Sequence, residues 1–244
     1  MDNNTDDAPH AERKGLIGRL WQTIRRPSAV YSLGSLIAIG GVGGVLFWGG
    51  FNWGMEATNT ERFCIGCHEM YENVYVEYKE TAHYNNHSGV RAVCSDCHVP
   101  KEWVFKVRRK IVASRELFHH FAGSINTPEK FDEKRLKLAS NVWKAMKETD
   151  SRECRNCHNF EYMDFTLQED RSGIAHQQAI DANMTCIDCH QGIAHNLPAG
   201  AEDAYRQISA EFEAENPDKA AKAHKGVDFT IFDRLAAFAT KVAD

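Results

Sequence analysis

The chain has 244 residues, with 34 acidic against 29 basic side chains and a formal net charge of −5. That length allows one or two ordinary domains, and the acidic balance argues against nucleic acid as a partner.

Residues 1–27 form a basic tail carrying Arg13, Lys14, Arg19, Arg25 and Arg26, and no charged residue then occurs until Glu56. Within that gap, residues 28–53 are apolar and glycine-rich (Leu33, Leu36, Ile37, Ile39, Val42, Val45, Leu46). About 20 apolar residues suffice to cross a bilayer, so this stretch predicts a single transmembrane anchor. A cleaved signal peptide has a shorter apolar region that ends at a small-residue site. Here the run instead ends in Trp48, Phe51 and Trp53, which suit a membrane interface. The basic tail places the N-terminus in the cytoplasm by the positive-inside rule, leaving the remainder on the outer side, the periplasm of a Gram-negative cell inner membrane. Gly40 and Gly44 form a small-xxx-small surface for a second copy of the helix, hence a homodimer, although glycine is also common in membrane helices generally.

Residues 54–198 hold all eight cysteines, in four copies of Cys-x-x-Cys-His: Cys64/Cys67/His68, Cys94/Cys97/His98, Cys154/Cys157/His158 and Cys186/Cys189/His190. This spacing lets two thiols bond the vinyl groups of one haem while the next imidazole reaches the iron. One copy would leave zinc or a redox dithiol open. Four copies, each followed by His with no cysteine left over, point to four covalently bound c-type haems. Haem attachment outside the cytoplasm agrees with the orientation. The haems would supply much of the apolar interior, so an ordinary side-chain core should be small. Helical apolar spacing recurs in Trp103 to Phe121 and Phe131 to Lys147. The expected fold is mostly α: one transmembrane helix plus a small, irregular helical and loop multihaem domain. Cys94 follows Cys64 by 30 residues and Cys186 follows Cys154 by 32, with 60 between the pairs, which suggests two two-haem modules.

Second axial ligands must come from the other histidines. His10 and His224 lie in polar tails, leaving His83, His87, His119, His120, His176 and His195. His195 is too close to His190 to complete the same haem easily. Met70, two residues after His68, is an alternative ligand that would raise a reduction potential. Lys101, Lys106, Arg108, Arg109 and Lys110 crowd one segment that could meet anionic headgroups, pair with propionates, dock a partner, or form a solvated face. Residues 199–244 form a C-terminal extension, read as a polar helix from Ala204 to Glu215, a break at Asn216-Pro217, and an amphipathic helix with Phe229, Ile231, Phe232, Leu235, Ala236, Phe238 and Val242 that could dock on the haem domain, the first choice, lie on the membrane or be partly disordered.

The order of basic tail, anchor and four motifs, the first continuing Cys67-His68-Glu69-Met70, resembles the NapC/NirT family of membrane-anchored tetrahaem quinol dehydrogenases. The likeness extends through HYNNHSGVRAVCSDCHVP (His83 to Pro100), ECRNCHNFEYMD (Glu153 to Asp164) and TCIDCHQGIAHNLP (Thr185 to Pro198). It implies oxidation of menaquinol or ubiquinol from the membrane pool and transfer of electrons to a periplasmic reductase, first of all a nitrate reductase complex. It favours Met70 over His68 on the first haem and makes His83 and His195 distal ligands; His176 is the best remaining candidate, and the expected pairs are His98/His176, His158/His195 and His190/His83. His87 could replace His83. Quinol oxidation releases protons and so needs an acceptor beside the first haem. Glu116 and Asp96 are the candidates, and the family pattern of an acid and a base two turns apart favours Glu116 with Arg109 or Lys110. Two other readings are a general hub serving several reductases and a terminal multihaem reductase. The latter often uses Cys-x-x-Cys-Lys, which does not occur in this sequence. The cysteine-free end also sets the chain apart from longer relatives with a fifth haem.

Overall fold

The computed structural model describes residues 15–25, 27 and 29–218. The expected amphipathic helix near the C-terminus, His10 and His224 lie outside the described residues. No strand occurs among the described residues, and the chain divides into two compact units, Met1–Gly54 and Met55–Asp244.

In the first unit, α1 spans Leu16–Arg25 and α2 begins at Leu33. The Ser32 hydroxyl accepts the Ser35 N–H, which sets the start of α2 a few residues inside the apolar stretch. The helix then runs on to Ala57, a length of about 38 Å against a hydrocarbon core of about 30 Å. Every residue from Leu33 to Gly50 is exposed around the whole circumference, as suits a helix whose solvent is lipid. Asn52 donates its side-chain amide to the Trp48 carbonyl, so this polar group is satisfied within its own helix.

The second unit follows the expected helical pattern. Short helices α3 (Glu61–Cys64), α4 (Val76–Tyr78), α5 (Cys94–His98) and α8 (Arg152–Arg155) accompany the longer α6 (Trp103–Phe121), α7 (Pro128–Glu148), α9 (Asp170–Asp181) and α10 (Ala201–Glu215). Thr127 caps α7 by accepting the Lys130 N–H, with Pro128 in the first turn. The side-chain core is indeed small: Trp143, Ile187, Ala201, Tyr205 and Ile208 form its one buried cluster among the described residues.

That cluster revises the reading of the C-terminal extension. The segment read as a polar helix from Ala204 starts at Ala201, after Gly200 turns the chain in the left-handed region at φ 77°. It buries Ala201, Tyr205 and Ile208, spaced i, i+4 and i+7, against α7. Its acidic outer face concealed the apolar stripe.

Candidate functional site

Each Cys-x-x-Cys-His motif is held by a short helical turn. In the second and fourth motifs an aspartate closes that turn. Asp96 Oδ2 accepts the Val93 N–H at 2.8 Å, and Asp188 Oδ2 accepts the Thr185 N–H at 2.7 Å. The carboxylate of Asp96, expected as a proton acceptor, is therefore placed as a cap on its own motif. Ser151, fully buried with φ 49°, joins the third motif to the fourth: its carbonyl accepts the Cys154 N–H and its hydroxyl accepts the Ile187 N–H at 3.1 Å.

The motifs are neighbours in sequence order. The Cys64 and Cys94 thiols are in hydrogen-bond contact, as are Cys154 and Cys186, and α5 packs on α8 between them. The first and second motifs thus form one module and the third and fourth another.

Each motif histidine faces a second imidazole. Ring centroids are 6.2 Å apart for His98/His195, 6.1 Å for His158/His83, 6.2 Å for His190/His176 and 6.3 Å for His68/His120. With metal–nitrogen bonds of about 2 Å, two imidazoles on opposite sides of one metal have centroids about 6 Å apart. The donor set therefore fits a haem iron between each pair. Further observations agree with this fit. His83 Nδ1 is buried without a partner. Burial, reinforced by His195 and Arg109, pushes His98 down to about 4, and burial also lowers His83, His190 and His195. The neutral ring is the form that binds metal. His176 Nδ1 lies 2.7 Å from Gln168 Oε1, which leaves Nε2 for the facing side.

The rings that face each other differ from all three expected pairs. His195 faces His98, His83 faces His158 and His176 faces His190, because the motif turns are stacked in chain order and each distal residue arrives from the adjoining loop or helix. His87 is exposed in a turn, and His119 contacts Ser124 instead of a motif histidine. A sequence signal for two of the distal positions exists: the tetrapeptide Gly-Ile-Ala-His occurs twice, ending at His176 and at His195.

The chain is similar over residues 26–200 to the NapC/NirT cytochrome c family, N-terminal region. The chain belongs to the NapC/NirT family. Among its relatives, cytochrome c-type protein NapC of Escherichia coli (strain K12) is 57% identical over 190 residues, covering 78% of this chain and 94% of that protein. Denitrification system component NirT of Stutzerimonas stutzeri is 54% identical over 196 residues, covering 80% and 96% respectively. Cytochrome c-type protein TorC of Escherichia coli (strain K12) is 46% identical over 181 residues, covering 74% of this chain but 46% of that protein. No solved structure matches the chain. As a NapC/NirT protein it is a membrane-anchored tetrahaem cytochrome of electron transport.

At the first motif the NapC/NirT chain is built differently. His68 is about half exposed, its Nε2 donates to the Asn126 carbonyl at 3.2 Å, and its Nδ1 lies 3.6 Å from Glu69. Met70 turns toward an apolar cavity shared with Cys64, Val74, Tyr75, Tyr78 and Cys94. Glu69 is only 3% exposed and lies 2.7 Å from His120 Nδ1. Burial alone would push its carboxyl up, but its own backbone amide and His120 turn the balance, and it titrates below the ordinary range. Beside them opens a cleft of about 540 Å³ lined by Thr60, Phe63, Gly66, Leu117, His120 and Phe121.

The expected quinol-site charges lie on α6. Arg109 Nη2 pairs with Glu116 at 2.8 Å, and Nε donates to the His98 carbonyl, while Nη1 is buried without a partner. Residues 109, 116 and 120 fall on one stripe of the helix, so Arg109, Glu116 and His120 share a face. Lys110 points elsewhere, donating to the Thr58 carbonyl and hydroxyl, and Lys106 pairs with Glu56 at 2.5 Å. Much of the basic segment is thus internal strutting. Glu69 and Gln168 escaped the sequence reading altogether, and His120 remained one of six undistinguished histidines.

Proposed function

We propose that this cytochrome oxidises membrane quinol, menaquinol or ubiquinol, and delivers the electrons to a separate periplasmic reductase, first of all a nitrate reductase. The observation that carries the reading is the Arg109–Glu116 pair on the α6 face that also bears the cleft-lining His120, with Glu116 one residue before Leu117, which lines the same cleft. Glu116 is more than half exposed, so its carboxylate can accept the proton of a quinol hydroxyl. Apolar walls from Phe63, Leu117 and Phe121 suit the quinol ring.

In this reading Cys64, Cys67, Cys94, Cys97, Cys154, Cys157, Cys186 and Cys189 hold four haems as thioethers. His98 with His195, His158 with His83 and His190 with His176 are the axial ligands, and the first motif supplies His68 or Met70. When bound, the haems supply one-electron carriage in the order in which the motifs touch, their potentials set by ligand type and burial. Residues 1–27 lie in the cytoplasm, 28–53 cross the inner membrane, and 54–198 with the extension 199–244 occupy the periplasm. The Gly40/Gly44 surface offers a dimer contact in the bilayer.

The test is anaerobic stopped-flow of detergent-solubilised protein with reduced menaquinol and ubiquinol analogues, following haem absorbance with and without a quinol-site inhibitor. Rapid, inhibitor-sensitive reduction is expected, with Glu116→Gln about 100-fold slower at unchanged haem content. If neither quinol reduces the protein while a soluble donor does, the reading fails. A second reading, a hub for several reductases, is favoured by similarity to three differently named proteins, NapC, NirT and TorC. Deleting the gene separates the two: loss of nitrate reduction alone supports the dedicated donor, and loss of several respirations supports the hub.

A further inference from the structure

We propose that His120 is an axial ligand of the haem attached at the first motif, and that Glu69 is the positioning residue that holds its ring. The inference rests on the haem-attachment reading above and adds to it a ligand on an element far from any Cys-x-x-Cys-His motif. Its first support is geometric. His120 faces His68 with a centroid separation of 6.3 Å, against 6.1–6.2 Å for the three other pairs of a motif histidine and a distal histidine. One ring nitrogen of His120 also lies within 4.8 Å of Cys67 Sγ, one of the two sulfurs of that motif.

The second support is the hydrogen bond on the far side of the ring. Metal-bound histidine commonly donates its other N–H to a carboxylate or carbonyl, which fixes the tautomer and makes the ligating nitrogen more basic. Glu69 Oε1 accepts from His120 Nδ1 at 2.7 Å, leaving Nε2 as the lone-pair nitrogen. His176, the ligand placed opposite His190, is held the same way by Gln168 Oε1, also at 2.7 Å. Glu69 is almost wholly buried beside the motif, and burying a carboxylate is costly unless a partner repays it. Holding His120 gives that burial a purpose which an ordinary surface ion pair would not. The adjacent His119 serves as an internal contrast: it contacts Ser124 and stacks edgewise on Phe118, with no motif histidine across from it. Binding through His68 Nε2 would exchange its hydrogen bond to the Asn126 carbonyl for the metal bond; binding through Met70 would leave that hydrogen bond in place. His120 is a ligand in either case.

The experiment uses the full-length, membrane-extracted protein carrying His120→Gly, His120→Met, Glu69→Gln or, as control, His119→Ala. Haem stoichiometry by pyridine haemochrome is measured first. Fewer than four haems in the unaltered protein would sink the attachment reading itself, separately from this proposal. With four haems present, ferric EPR and magnetic circular dichroism count low-spin and high-spin centres. The expected result is that His120→Gly converts one of the four haems to high spin and that added imidazole returns it to low spin, while His119→Ala changes nothing. His120→Met keeps the ring's place filled and should raise the potential of one haem alone, since axial methionine favours the reduced state. Glu69→Gln should leave all haems low-spin and raise the potential of that same haem by making the imidazole less basic. Unchanged spin states in His120→Gly, or unchanged potentials and spectra in His120→Met if the glycine variant does not accumulate, would overturn the proposal.

Discussion

The two ends of the row of motifs carry the same five-residue signature in opposite surroundings. At the fourth motif, Ile187 is buried in the cluster formed by α7 and α10, and Asp188 is only 8% exposed. Asp188 receives Lys147 at 2.5 Å, the Tyr205 hydroxyl at 2.7 Å and the Thr185 N–H. At the first motif there is no such cover. His68 is half exposed, and an apolar cleft opens beside Cys67. Covalent attachment needs only the local sequence, so the signature can be repeated. What differs is how much of each site is shielded from water. A shielded site holds its potential and ligand geometry; an open one can admit a donor. On the proposed function the open end is the entry for the donor, while the sealed end is where the buried side-chain cluster sits.

The strongest way to break this contrast is to unseal the fourth motif. Trp143 is 4% exposed, packs edge-to-face on Tyr205 and directs its indole nitrogen toward the Gln191 carbonyl. Trp143→Ala should cost about 3–5 kcal/mol. Thermal unfolding should show the loss, and hydrogen exchange should show residues 186–191 opening while protection around Thr60 to Met70 is kept. A smaller effect should follow from Gly173→Ala. A Cβ there would stand 2.9 Å from the Phe165 carbonyl oxygen, so α9 must shift at a cost of about 1–3 kcal/mol. His176 lies one turn further along α9, and the shift should carry it away from His190. The readout is a high-spin EPR component arising from one haem, with total haem content unchanged.

The elements written in local chemistry were legible in the sequence and those set by tertiary packing were not. The four motifs, the apolar stretch of α2 and the helical periods of α6 and α7 each depend on residues close in the chain. The partners of the motif histidines depend on which turn stacks on which, so the ring that each of His83, His176 and His195 faces is not written in their spacing along the chain. Glu69 is a charged residue in a sequence position that reads as surface, and only the approach of α6 from some fifty residues away shows it to be buried. Asp96 looked like a free acid because its capping of Val93 is invisible without the turn. The stripe Ala201, Tyr205 and Ile208 was hidden among glutamates, whose side chains say what faces water but not what the opposite face meets. The Arg109–Glu116 pairing, by contrast, was recoverable, because seven residues make two helical turns.

The smallest expected effect concerns the tie between the two ends. Glu77, on α4, receives Arg135 from α7 and the Asn196 N–H at 2.9 Å, one residue beyond the His195 that faces His98. Burial alone would raise its carboxyl, but Arg135 and the Asn196 amide outweigh burial, and the pKa lies below its ordinary value. A carboxyl whose folded pKa is depressed adds stability that is fully present above its unfolded pKa of about 4.3 and is lost as the pH falls through the folded value. Glu77→Gln should therefore cost about 1 kcal/mol at neutral pH and should cost progressively less in acid. Denaturant unfolding of both proteins between about pH 7 and pH 3 measures the difference. A penalty that stays constant with pH would mean that Glu77 acts by shape alone. A penalty that shrinks below the unfolded pKa would show that Glu77 acts as a charged strut, tying α4 to Arg135 of α7 and to the Asn196 amide beside His195.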